Sequence, residues 1–457
     1  MPNSGRIVFN YASNSGVRTI GGGDAAFDTR WSQCSNESIY AYRNPPSVEA
    51  VALATNASNI TDVKDVSRYD YSSGHVVPRL GQVLLLRNKN GRYAAIQLLA
   101  VTSTGHGKPS DEVTFRYIIL PAGSRDFSSA ASTQVIDASF SRRVLLLGAG
   151  FSRNWGGLLA TEVQEKIFNH AAVQARPRLK AMVLEKPFED ALEETRTGLW
   201  EAQDQAAVEA AIRAAFDQMD RAFRNPNPPV LNATANDFIK RFCPGPVGVG
   251  TGYVFSLNQD LLLERIYGTN VASQKLVVPG VTWLDRPPHF PAGLADIPAG
   301  SPAGEGQLAT LRLVRNFNLI KLHGSINWQG GADAPGMVMG RRKSRTISAH
   351  PLLAFYYGVF ERVLAAGDVR LMVIGYGWGD DHINDVIADA VRDHGLRIYS
   401  WNRSPPGELI RPRHRGAELI AGLAGYWTRP LTEVMPPNPT DPGGPDYDDI
   451  IGTFFSG

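Results

Sequence analysis

The chain has 457 residues, 43% hydrophobic and 20% charged, with a formal net charge of +2. That length allows two or three domains with cores of their own. The near-neutral balance excludes a driving attraction to nucleic acid, so no direct nucleic-acid binding is expected. Two cysteines, Cys34 and Cys243, exclude a disulfide framework and a four-thiolate zinc site. The first residues lack a basic segment followed by an apolar core, and no apolar run approaches the ~20 residues that span a bilayer, so the expectation is a cytoplasmic protein without a membrane partner.

Residues 1 to about 138 are rich in Ser, Asn, Gly and Tyr. Val83–Leu86 and Tyr93–Leu98, joined across Asn90-Gly91, predict a hairpin. Val113–Leu120 predicts a further strand, and no stretch here has a clear helical period. This part reads as a small all-β domain, a candidate for regulation or oligomerisation, with a linker over 122–141. At Arg142 the texture changes. Val144–Leu147 is a continuous apolar run of the kind buried on both faces of a parallel sheet. Tyr253–Ser256 and Leu371–Ile374 are further buried-strand candidates, and Phe317–Leu322 and Arg397–Trp401 also read as strands. Helical stretches alternate with them, clearest at 206–216. The pattern over 142–428 predicts an α/β, doubly wound, Rossmann-like parallel sheet with helical insertions. Residues 277–307 hold six prolines and predict a surface loop or lid. The Pro/Gly-rich tail, 429–457, is either partly disordered or docked through Phe454-Phe455.

Four short signatures fall at strand ends, where ligands bind in open α/β sheets. Gly148-Ala149-Gly150-Phe151-Ser152 suits a pyrophosphate approached by bare backbone at a helix start, although Arg153 takes the third glycine position and a tight turn explains the same residues. Ser256, Asn258 and Asp260 can hold ribose hydroxyls or a water, or can simply cap the next helix. His323, before Gly324, titrates near neutrality and suits general-base work, though a lone histidine is more often structural. Gly375-Tyr376-Gly377-Trp378-Gly379-Asp380 again permits close backbone approach, with Asp380 or Asp381 as a helix cap. The pair Asp381-His382 has no third or fourth ligand at suitable spacing, so no metal is expected. Asn402, after the last of these strands, can hold an adenosine ribose.

Taken in order, these residues resemble the sirtuin superfamily, and within it the SIR2-like branch found in bacterial antiphage defence proteins. The resemblance covers about residues 142–428. Gly148-Ala149-Gly150 is similar to the family's phosphate loop, Ser256-Leu257-Asn258-Gln259-Asp260 to its Thr-Gln-Asn-Ile-Asp pattern, and His323-Gly324 to its catalytic His-Gly. The Gly375 segment resembles Gly-Tyr-Ser-x-x-Asp, with Gly377 replacing the serine. Zinc-bearing deacylases carry two Cys-x-x-Cys pairs after the His-Gly, and no cysteine follows Cys243 here. The resemblance therefore implies NAD as substrate and no zinc. NAD would be cleaved to nicotinamide and ADP-ribose with Asn258, Asp260 and His323 as catalytic residues. Gly148, Ala149, Gly150, Phe151, Ser152, Ser256, Gly375, Tyr376, Asp380 and Asn402 would bind the dinucleotide. It also implies a homo-oligomer, triggered by a phage product or by a partner such as an ATPase. A sensor that binds NAD or an ADP-ribose derivative without cleaving it is the alternative.

Overall fold

The computed structural model describes residues 4–57, 59–127, 140–197, 200–223, 233–243, 250–267, 276–283, 300–303, 305–308, 311, 313, 316–328, 337–338, 343, 346–347, 350–438 and 446–456. Most of the expected linker at 122–141 and of the expected loop at 277–307 lies outside them. The chain divides into two compact units. One is Met1–Val135 with Gly304–Thr310 and Ser344–Gly358, and the other is Ile136–Ala303, Leu311–Lys343 and Val359–Gly457.

The first unit is built from antiparallel strands. A five-stranded sheet runs β1 (Ser4–Asn10), β9 (Glu112–Ile119), β8 (Tyr93–Thr102), β7 (Val83–Asn88) and β5 (Val48–Ala54). A four-stranded sheet runs β2 (Val17–Ile20), β3 (Phe27–Gln33), β4 (Ile39–Tyr42) and β6 (His75–Val76). The run Val83–Leu86 is apolar throughout because the larger sheet is covered on both faces. Leu84 and Leu86 join one core with Phe27, Trp31 and Phe115, while Val83 and Leu85 join a second with Ile60, Val63 and Phe127. The hairpin expected at Asn90-Gly91 is present between β7 and β8, with Gly91 at φ 71°, a conformation that glycine adopts without cost.

The second unit holds a seven-stranded, all-parallel sheet flanked by helices. Its strands are β10 (Arg143–Leu147), β11 (Gly252–Ser256), β12 (Leu276–Val277), β15 (Phe317–Lys321), β16 (Arg370–Ile374), β17 (Arg397–Trp401) and β18 (Leu423–Trp427). They lie in the order β12-β15-β11-β10-β16-β17-β18. Leaving aside the two-residue β12, the strands taken in chain order sit 3-2-1-4-5-6 across the sheet, the order of doubly wound nucleotide-binding sheets. The order reverses beside β10, which pairs β11 on one edge and β16 on the other. The flanks of the expected loop form a small separate pair, β13 (Val281–Trp283) with β14 (Gly300–Pro302). The helix Ala202–Phe223 buries Val208, Ala211, Ile212, Ala215 and Met219 along one stripe, the spacing of a core-facing helix. It is fixed to the helix Leu262–Tyr267 by a fully buried two-pronged pair, Arg265 to Asp220 at 2.6 and 2.7 Å.

Of the two expectations for the tail, the described part is docked. The helix Asp446–Phe455 buries Ile450 and Phe454 completely. Its last carbonyls lack partners within the helix and accept from Arg143 and Arg370, through Phe455 O at 2.6 Å and Phe454 O at 2.7 Å. Those arginines are paired neighbours at the starts of β10 and β16, so the tail closes the end of the sheet opposite the strand-end signatures. Phe454→Ala removes a ring packed on Tyr399, Phe242 and Phe455. It should lower the unfolding free energy by about 3–5 kcal/mol in urea titration.

Candidate functional site at the carboxyl ends of the strands

The chain leaves β10 at Gly148 and turns at once into the five-residue helix Ala149–Arg153. The glycines here are needed for backbone contact. Gly148 N donates to Ile374 O at 2.9 Å and Gly150 N to Gly375 O at 3.0 Å. A Cβ on Gly150 would stand 2.7 Å from Gly375 Cα, and one on Gly148 would stand 2.6 Å from Gly375 O. Gly375 itself sits at φ 66°, with room for no side chain before Phe151 N and Gly150 C. The loops after β10 and β16 thus lie backbone on backbone. By contrast Gly377 and Gly379 face open space, flanking Trp378, which is fully buried at φ 57°.

The loop after β11 is tied to this pair. Asn258 Nδ2 donates to Gly148 O at 3.0 Å and to Ser152 Oγ at 2.9 Å, while Asn258 N donates to Ser256 Oγ at 3.1 Å. Asn258 is therefore the clasp between two strand ends. Asp260 Oδ1 accepts from Leu262 N at 3.1 Å, the helix-cap role open to it in the sequence. Burial pushes the Asp260 carboxyl up from its usual range, against the opposing pull of Lys321, Ser152 and the Leu262 amide. Lys321 ends β15 and is almost fully buried. Its ammonium donates to Glu264 Oε1 at 2.6 Å, to Ser325 Oγ at 2.8 Å and to Asp260 O. Ser152, Ser256, Asn258, Asp260, Glu264 and Lys321 line a cavity of about 10 Å³, space for about one water.

His323 follows β15, and Gly324 at φ 73° turns the chain back so that Val338 N reaches His323 O at 2.9 Å. The glycine after the histidine is thus a conformational need. The imidazole is 2% exposed. One ring nitrogen is hydrogen-bonded to the Leu257 carbonyl, one residue before Asn258. The other, Nε2, lies 3.1 Å from Nε2 of His382. Burial lowers its pKa to about 4, with Lys343 adding to the effect and Asp380 and the Leu257 carbonyl opposing it, so the ring is neutral at pH 7.

Asp380 comes from the loop after β16, at the start of the helix Asp381–His394. Burial pushes its carboxyl up, but His323, Lys343 and His382 outweigh that and hold it down to about 2. Lys343 Nζ stands 2.8 Å from Asp380 Oδ1 and 3.0 Å from Glu189 Oε2. Tyr376 is buried. Its hydroxyl donates toward Asp380 O at 3.1 Å and accepts from Asp380 N at 3.0 Å. Asn402 Nδ2 donates to Tyr376 O at 2.9 Å, so this asparagine braces the loop. Two of the expected functional residues also form a cluster with His382: potential ligand atoms of His323, Asp380 and His382 lie within 4.8 Å of one another. Pairing Asp381 with His382 in the sequence missed it, because the acid of the cluster is Asp380 and its other histidine comes from the loop after β15.

Sequence reasoning passed over Lys321, Glu264, Lys343 and His382 as partners. A lysine closing the buried strand β15 was the visible signal, since a strand buried on both faces cannot hold an ammonium without a carboxylate nearby. Among the described residues, no helix is long and apolar enough to cross a membrane. No protein-family model matches the chain, and no curated protein matches it.

Two outcomes test this geometry. Gly375→Ala places a Cβ against Phe151 N in a left-handed backbone and should cost about 2–4 kcal/mol of unfolding free energy, read as a lowered Tm. His323 binds its proton less readily when folded than when unfolded. Its contribution is therefore complete above about pH 6.5 and is lost as pH falls toward 4. With EDTA present, the wild type should lose on the order of 3 kcal/mol more than His323→Gln between pH 7 and 4, measured by urea titration across pH.

Proposed function

We propose that the chain is an NAD+ hydrolase that breaks the nicotinamide–ribose bond to give nicotinamide and ADP-ribose. The observation that carries the reading is convergence. Four strand-end segments picked out in the sequence, led by Gly148, Asn258, His323 and Gly375, meet through direct hydrogen bonds at the reversal point of the sheet. In such folds that crevice takes the dinucleotide.

The chemistry asks little of an acid. Nicotinamide leaves a cationic riboside as a neutral molecule, through an oxocarbenium-like transition state. The protein must hold the ribose, stabilise positive charge and present a water. Asp260, beside Ser152 and Asn258, supplies the nearby carboxylate. His323 is neutral at pH 7, and its Nδ1–H on the Leu257 carbonyl leaves a lone pair on Nε2 to accept a proton from water or from a ribose hydroxyl. In the described geometry that lone pair faces His382, and the amide of Asn258 is spent on Gly148 and Ser152. This is a resting arrangement, and it supports a triggered effector of antiphage defence that depletes NAD once switched on. The same engagement of Asn258 favours, as a second reading, a protein that binds NAD or an ADP-ribose derivative without cleaving it.

Purified protein incubated with NAD and its trigger should release nicotinamide without any acyl-lysine peptide, and His323→Ala should slow release by roughly 10²–10⁴-fold with an unchanged circular dichroism spectrum. Binding of NAD by calorimetry without nicotinamide release, even after candidate triggers are added, would leave the binder. Undiminished hydrolysis in His323→Ala would remove the histidine from the mechanism.

A further inference from the structure

We propose that His323, Asp380 and His382 form a binding site for one divalent first-row transition ion, of the zinc, cobalt or iron type. The two imidazoles come from different strand-end loops, yet their Nε2 atoms face each other at 3.1 Å, both side chains being more than nine-tenths buried. Two ligands on one tetrahedral ion with bonds near 2.0–2.1 Å stand about 3.3 Å apart, so the nitrogens already have ligand spacing. The carboxylate of Asp380 lies within 4.8 Å of both, close enough to be the third ligand once an ion draws the three groups together.

A second observation points the same way. His323 donates its other ring N–H to the Leu257 carbonyl, the outer contact that fixes the tautomer and orientation of a ligating histidine and leaves its lone pair aimed inward. Two imidazoles and one carboxylate are the donor set of ions with borderline softness. They are a poor set for magnesium or calcium, which take oxygen. Lys343 is the one cation at the cluster among the described residues, on Asp380 Oδ1. It competes for one carboxylate oxygen and leaves the other for the ion.

The inference stands on this geometry and not on the NAD reading. The two nonetheless meet at one atom. An ion on Nε2 of His323 takes the lone pair that general-base work requires, so occupancy and base catalysis exclude each other. A loaded protein would be held silent, and a chelator would release it.

The test is metal content. Full-length protein dialysed against Zn2+ or Co2+ and then desalted should retain one ion per chain by mass spectrometry, and the cobalt form should show visible d–d absorption of a low-coordinate site. His382→Ala and Asp380→Asn should lose the ion, while Lys343→Met should bind it at least tenfold more tightly. Magnesium should not be retained. X-ray absorption on the wild-type cobalt protein should show two imidazole ligands, a readout that needs no variant to fold. Absence of a stoichiometric ion in the wild type overturns the proposal, as does an ion retained in folded His382→Ala. Nicotinamide release is not part of this readout, so failure of the hydrolase reading and failure of the metal site are separable.

Discussion

Backbone contact between Gly148–Gly150 and Gly375 is the constraint on which the strand-end region depends. Two loops leaving adjacent parallel strands ordinarily splay apart, because side chains hold them at side-chain distance. Here neither loop has a Cβ at the crossing, so the Gly150 amide reaches the Gly375 carbonyl directly. With the loops after β10 and β16 joined, Asn258 can span from the loop after β11 to Gly148 and Ser152. His323 in turn finds the Leu257 carbonyl beside that clasp.

Charge is handled in the same region by burial with a partner. Lys321 against Glu264, Arg265 against Asp220 and Lys343 between Asp380 and Glu189 are enclosed or nearly so. Such pairs add little net stability over apolar packing, because desolvation offsets most of the attraction. They do make the arrangement specific, since a shift that separates one pair strands a charge in a poorly solvated place. A loop set pinned in this way has few alternative arrangements.

Much of this was legible in the chain. The five strands expected over 142–428 are β10, β11, β15, β16 and β17, and β10 and β16 were plainest because a strand covered on both faces reads as an unbroken apolar run. The Asn-Gly hairpin was visible for a local reason, the positive φ that the turn requires. The edge strands were not. β18 alternates between half-buried and exposed residues, which blurs it into the Pro/Gly-rich sequence that follows, and β12 has two residues. In the site, the glycines were recognised but their neighbours were not. A glycine that admits a ligand and a glycine that admits another glycine look the same in one dimension. The histidine pair was hidden for a related reason, since His323 and His382 lie 59 residues apart in sequence.

The central strand carries a consequence for how the protein is made. β10 is the first strand of the sheet to leave the ribosome, but its partners arrive late: β11 about a hundred residues on, and β16 more than two hundred. Pairings of such long reach close slowly, after the entropy of the intervening loop has been overcome. During synthesis β10 is therefore an apolar ribbon with two open edges, and it needs shelter from its neighbours or from a chaperone. The glycine crossing and the histidine pair cannot form until the loop after β16 has emerged. A nascent chain therefore lacks its strand-end cluster until the segment around Gly375 and His382 has been made.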